Sequence, residues 1–247
     1  MIDLSGKTIL ITGASSGIGR ETAKLCDSLG AHTILTGRNE TNLNSLQESL
    51  SNPNKIILAD LCDSEHIKSL VESTEKLDGI VHCAGKIFPF PIKFIRHKQL
   101  EDVFKTNLFS SIELTSQLFA LKKIKDQASI VFISSISVKH PYLGGALYSS
   151  SKAAIESFSK TVALEYAKLK IRSNCIAPAL VETEILETTK NAYSEEEWNS
   201  IISQYPLGIG KTDDVANLIV FLLSEKSKWM TGNTISIDGG LVLNSKK

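Results

Sequence analysis

Lys7-Thr-Ile-Leu-Ile-Thr12-Gly13-Ala-Ser-Ser-Gly17-Ile-Gly19 is the stretch from which the fold can be read. Its first six residues form a short, apolar, β-branched run suited to a buried strand. A helical pattern follows the glycines, with Ile18, Thr22, Leu25, Cys26 and Leu29 on one side and Gly30 as its stop. Strand, glycine turn, helix is the geometry that aims backbone N–H groups and a helix N-terminus at a pyrophosphate. Gly13 permits the tight turn, Gly17 lets the backbone approach the phosphates, and Gly19 lets helix and strand pack closely. Ser15 and Ser16 add hydroxyl donors. The spacing is G-x-x-x-G-x-G rather than G-x-G-x-x-G, and a glycine-rich turn can be purely structural. Its place between the first strand and the first helix favours the nucleotide reading.

Working outward, the same unit repeats. Strands are predicted over 32–36, 55–59, 79–83, 129–134, 171–176 and 233–237, with helical patterns of crossover length between most of them. Strands alternating with such helices predict an α/β fold: a single Rossmann-type, doubly wound domain over residues 1–247, with a seven-stranded parallel sheet and helices on both faces. Gly37 and Arg38 end the second strand, about 20 residues past the glycines, where a carboxylate would take the ribose 2′-OH of NAD. A missing carboxylate removes repulsion, and an Arg offers a bidentate partner to a 2′-phosphate, so NADP(H) is expected, with NAD(H) as the alternative. The competing reading makes Arg38 a solvated turn residue. Asp60 ends the third strand. Ala84-Gly85 ends the fourth, where small residues let a cofactor lie close. A long helix is predicted over about 99–122, with Asn107, a poor mid-helix residue, at its middle. Residues 182–210 scatter Ile185, Leu186, Tyr193, Trp198, Ile201, Ile202 and Tyr205 on a polar background and read as a candidate substrate lid.

The chemistry centres on Tyr148-Ser-Ser-Ser-Lys152. Residues four apart on a helix lie one turn from each other on one face. A phenol of pKa about 10 is a poor acid–base group at neutral pH, and a nearby ammonium is expected to pull that value down. Ser135, just past the fifth strand, can hold a substrate oxygen beside the phenol. On spacing alone, Tyr148 and Lys152 also read as ordinary surface-helix residues.

Composition narrows the partners. Lys plus Arg and Asp plus Glu stand at 27 each, without the basic excess that nucleic-acid or membrane-surface binding needs. No apolar stretch approaches the ~20 residues that span a bilayer. The N-terminus lacks a basic region followed by an apolar run, so no signal peptide is expected. Cys26, Cys62, Cys83 and Cys175 form no CxxC pair. They read as reduced thiols of a cytoplasmic protein, with no metal site.

Taken together, Thr12-Gly-Ala-Ser-Ser-Gly-Ile-Gly19, Asp60, Ala84-Gly85, Asn107, Ser135 and Tyr148-x-x-x-Lys152 resemble the short-chain dehydrogenase/reductase family over essentially the whole chain. The resemblance implies that Ser135, Tyr148 and Lys152 are catalytic and that Asn107 completes a proton relay through water. It implies a cofactor held by Gly13, Ser15, Ser16, Gly17, Ile18, Gly19, Arg38, Asp60, Leu61, Ala84, Gly85, Tyr148, Lys152, Pro178 and Thr183. Asp60 would meet the adenine and Thr183 the nicotinamide amide. It further implies a homotetramer or homodimer built partly from the helices holding Asn107 and Tyr148. Within the family the pattern looks most like 3-oxoacyl carrier-protein reductases, so an NADPH-dependent reduction of a small-molecule or carrier-bound ketone is expected. The alternatives are a dehydrogenase of a sugar, steroid or hydroxy acid, and a non-catalytic dinucleotide-binding regulator. Three departures stand out: His82-Cys83 where Asn-Asn is common, Ala179 where Gly is usual after Pro178, and Gly210-Lys211 where many members carry Arg.

Overall fold

The computed structural model describes residues 1–87, 89–184, 186, 190 and 194–244. Its strands are β1 (Thr8–Thr12), β2 (His32–Gly37), β3 (Asn54–Leu58), β4 (Leu77–His82), β5 (Ile124–Ile133), β6 (Arg172–Pro178) and β7 (Thr234–Ile237). Its helices are α1 (Gly17–Ser28), α2 (Glu40–Gln47), α3 (Ser64–Ser73), α4 (His97–Phe104), α5 (Ser110–Ala120), α6 (Ala146–Glu165), α7 (Glu195–Ile202), α8 (Thr212–Leu223) and α9 (Leu241–Asn244). The strands form one seven-stranded sheet in the order β3-β2-β1-β4-β5-β6-β7, parallel throughout.

A parallel sheet must be covered on both faces, so its central strands are apolar throughout rather than alternating. All five residues of β1 are buried, as are all seven of β6. One apolar cluster packs Ala23 and Cys26 of α1, Leu43 and Leu46 of α2, and Val215, Ile219 and Leu223 of α8 against Ile9, Ile11 and Val131. The opposite cluster packs Ile67 and Leu70 of α3, Leu114 and Leu118 of α5, and Ile155 and Val162 of α6 against Leu10, Ile80 and Phe132. The Rossmann-type, doubly wound architecture expected from the alternating pattern is therefore present. Local caps fall where the side chains invite them. Asn39 accepts from Asn42 N–H at the start of α2, and Asp63 accepts from Glu65 and His66 N–H at the start of α3.

β5 begins at Ile124, five residues before the strand expected over 129–134, and pairs Leu77 with Ile124 ahead of a register shift; two other stretches differ more. The single helix expected over 99–122 is α4 and α5 joined by a π-turn, Lys105–Phe109, in which Ser110 N–H donates to Lys105 O. The extra residue in that turn changes which way the following side chains face, and Asn107 lies inside it. Between 182 and 210, α7 opens with a reciprocal capping box, Ser194 with Glu197, and buries Trp198. That box and the Trp198–Ile202 spacing are the local signals of a helix inside the segment expected to form a lid. Ile185 and Tyr193 lie outside the described residues. Among the described residues no helix is long and apolar enough to cross a membrane.

Candidate active site

In an open parallel sheet the crevice forms outside the carboxyl ends of the strands, where the strand order reverses. Here that point lies between β1 and β4, and the glycine turn sits on it. Gly13 has φ +64°, and a Cβ there would stand 2.9 Å from Ala84 N, so the turn from β1 and the end of β4 meet backbone to backbone. Thr12 Oγ1 accepts from Ala84 N–H at 3.1 Å and ties the same two strand ends together. A Cβ on Gly19 would fall inside the van der Waals envelope of Gly13 O, which is why α1 can begin so tightly against its strand. Gly17, at φ +52°, would carry a Cβ 3.3 Å from Thr183 Cγ2. The chain beyond β6 thus comes back onto the glycine turn.

These residues fit a dinucleotide. Ser16 occupies the N-cap of α1 with no side-chain cap bond, and no acidic residue lies in the first turn. The first N–H groups and the positive end of the helix dipole are neither capped nor neutralised. Ser15 stands at the end of β2: a Cβ on Gly37 would lie 3.4 Å from Ser15 Oγ, an ordinary contact. Arg38 is exposed and, among the described residues, makes no hydrogen bond or ion pair. Asp60 and Leu61 follow β3, with Asp60 Oδ1 accepting from Cys62 N–H at 3.0 Å. Pro178 closes β6 opposite Ile237.

Across the crevice the structure brings Ser135, Tyr148, Lys152 and Asn107 together. Lys152 is 5% exposed, its Nζ donates to Ile133 O at 2.8 Å, and it stands 5.6 Å from the centre of the Tyr148 ring. A Cβ on Gly85 would lie 3.4 Å from both Asn107 Oδ1 and Lys152 Nζ. The Ala84-Gly85 step is therefore walled by the two polar groups the sequence placed on separate helices. Ser135 caps the short turn Ile136–Val138, accepting from Ser137 N–H, and its side chain acts on the Tyr148 phenol to favour the phenolate. Asn107 is clamped by the Lys86 peptide: Lys86 N–H donates to Oδ1 at 2.8 Å and Nδ2 donates to Lys86 O at 3.0 Å.

The electrostatics correct one expectation. Lys152 was expected to pull the Tyr148 pKa down. Instead burial raises it, the neighbouring Tyr142 adds to the rise, and the Ser135 side chain offsets only part. The physical reason is desolvation: a phenolate in this pocket would lose its water, and Lys152 aims its Nζ at a backbone carbonyl. Burial also lowers Lys152, from 10.5 to about 8. At neutral pH the pair is a neutral phenol beside a charged ammonium.

The departures from the family pattern are each absorbed. His82 is buried, stacks on Phe132 with ring centres 4.5 Å apart, and pairs through Nε2 with Thr115 Oγ1 at 3.0 Å. Burial lowers its pKa to about 3, so the ring is neutral. Burial pushes the Cys83 thiol up to about 12, and it stays protonated. Ala179 N–H donates to Ile237 O. Gly210 bridges Val181, and Lys211 starts α8, with its N–H bound by Asp214. Two contributors went unremarked in the sequence: Lys86, which acts through its backbone and leaves no side-chain signal, and Ser151, in the middle of the Tyr-x-x-x-Lys stretch.

Comparison with known proteins agrees with this geometry. A family model described as enoyl-(acyl carrier protein) reductase matches residues 13–242. The chain is 34% identical over 246 residues to a 3-oxoacyl-(acyl-carrier-protein) reductase of Rickettsia felis, covering 98% of this chain and all of that protein. It is 30% identical to a tropinone reductase homolog of Arabidopsis thaliana, covering 98% of this chain and 94% of the relative. The structure of a short-chain type dehydrogenase/reductase from Mycobacterium ulcerans superposes with a TM-score of 0.89 at 26% identity, covering 98% of this chain and 91% of that one. With the fold, the glycine turn and the Tyr–Lys helix in place, the chain belongs to the short-chain dehydrogenase/reductase family of oxidoreductases.

Proposed function

We propose that this protein is an NADPH-dependent reductase of ketones, with a 3-oxoacyl thioester-like substrate in which the acyl group is free or carried on a carrier protein. One observation carries the reading: the Ser135 hydroxyl lies near enough to the Tyr148 phenol to act on its acidity, with the buried Lys152 beside them. Two adjacent hydroxyls are the right donors for one carbonyl oxygen. The bound nicotinamide supplies the hydride. Ser135 Oγ orients the substrate oxygen, and Tyr148 Oη donates its proton as charge develops there. Tyr148 is protonated at neutral pH and so carries the proton to be donated, while the burial that raises its pKa works against releasing it. The Lys152 ammonium holds the nicotinamide ribose. Asn107, held against Lys86, stands next to Lys152 on the path by which protons return. Arg38 takes the 2′-phosphate, the uncapped start of α1 takes the pyrophosphate, Asp60 and Leu61 flank the adenine, and Thr183 takes the nicotinamide amide. The name of the matching family model mentions enoyl substrates, whose reduction ends with a proton on carbon; the paired hydroxyls favour an oxygen acceptor. The relatives include both a carrier-protein reductase and a tropinone reductase homolog, and an assay on both substrate classes decides between them.

The segment over 182–210 acts as the substrate lid. Phe109 and Leu164, 53% and 79% exposed, support assembly as a homotetramer or homodimer through the faces beside Asn107 and on α6.

The test is NADPH oxidation against 3-oxoacyl thioesters, diketones and steroids, for the wild type and for Tyr148→Phe. The variant loses only a hydroxyl, so it should still fold and bind NADPH while turnover falls ~10²–10⁴-fold. Near-normal turnover in Tyr148→Phe would remove Tyr148 as the acid. Absence of wild-type turnover on every carbonyl would remove the reductase reading.

A further inference from the structure

We propose that Ser151 is a positioning residue that locks Asn107 to the turn of α6 carrying Tyr148 and Lys152. Ser151 is fully buried. Its Oγ donates to Tyr148 O at 2.7 Å and accepts from Asn107 Nδ2 at 3.2 Å. Nδ2 gives its other hydrogen to Lys86 O, and Lys86 N–H donates to Oδ1. Every donor in this small network is used, and the reciprocal contact with the Lys86 peptide leaves only one orientation of the Asn107 amide consistent with it. The remaining lone pair of Oδ1 is the free acceptor, on the side of Gly85 where Lys152 Nζ also stands.

The π-turn carries Asn107 into the interior, where it is buried, and the Lys86 peptide holds its amide from one side only. Ser151 supplies the missing fixed point. It lies on α6 one residue before Lys152 and three after Tyr148, so it couples the amide to the helix that holds both. Without its hydroxyl, one Nδ2 hydrogen is left buried and unpaired, and the Asn107 amide is held by the Lys86 peptide alone, with no tie to α6. Ser151 is fully buried and lies outside the groups assigned to substrate and cofactor, so it acts on the rate and leaves binding alone.

This inference rests on the reductase reading for its kinetic part, and the experiment separates the two. Ser151→Ala keeps α6 intact, since Ala is the strongest helix former. In ketone reduction, kcat should fall about three- to ten-fold, the rate equivalent of one neutral hydrogen bond, with KM and NADPH affinity unchanged. In an Asn107→Leu background the same substitution should cost nothing further, because its effect runs through Asn107. Amide exchange at Lys86, measured without substrate, should speed up in Ser151→Ala as the Asn107 clamp loosens. Equal losses in the two backgrounds, or a loss confined to KM, would overturn the positioning role. So would unchanged exchange at Lys86, a result that stands even if no substrate is turned over.

Discussion

Lys152→Met tests the electrostatics of the site without using activity. Met is close to Lys in length and carries no charge. Burial lowers Lys152 from 10.5 to about 8; at ~1.36 kcal/mol per pH unit, keeping the ammonium in the folded protein costs about 3 kcal/mol. The substitution removes that cost, and it also strands Ile133 O, which Nζ now satisfies at 2.8 Å. A stranded buried carbonyl costs about 1–3 kcal/mol, so at neutral pH the variant should be equal to the wild type or up to about 2 kcal/mol more stable. The pH dependence isolates the charge. Below pH ~8, folded and unfolded chains both carry the ammonium and the full cost is present. Between about 8 and 10.5 the folded chain is already neutral while the unfolded chain still holds its proton. In that window the wild type gains stability as pH rises, and the cost is gone above it. Urea unfolding of both proteins at about pH 7, 9 and 10.5 should show the advantage of Met shrinking by about 3 kcal/mol across the series. A difference that stays flat with pH would refute the claim that Lys152 is held at a lowered pKa by burial. Turnover in Lys152→Met should be lost at every pH.

Two further outcomes follow from the cofactor side. Wild type should bind NADPH more tightly than NADH, and Gly37→Asp should weaken NADPH by about ten-fold or more by bringing a carboxylate to the 2′-phosphate; fluorescence titration that finds the preference unchanged, or NADH favoured from the start, would remove Arg38 as the phosphate ligand. Gly19→Ala places a Cβ against Gly13 O, so it should lower stability by about 1–3 kcal/mol and abolish nucleotide binding; an unchanged melting temperature with intact binding would show that α1 does not need that close approach.

Much of the fold was legible because the patterns that carry it are local. Apolar runs ending in Thr12, Gly37, Cys83 and Ser134 mark strands by content alone, and the glycine turn reads as a strand-to-helix junction from its immediate neighbours. Asn39, Asp63 and Ser194 each cap a helix with their own side chain and an N–H two or three residues on. The Tyr148–Lys152 pair was legible for the same reason, since one helical turn fixes their separation. Other features needed the whole chain. Thr183 reaches Gly17, and Asn107 and Lys152 converge on Gly85, only because the parallel sheet brings strand ends from distant parts of the sequence to one edge. The break of one expected helix into α4, a π-turn and α5 follows from what Asn107 must reach across that edge, on Lys86 and Ser151. The sign of the Tyr148 shift was likewise beyond the sequence. Spacing says a cation is near, but whether attraction or desolvation prevails depends on how much water the folded chain removes from around the phenol, and tertiary packing alone sets that.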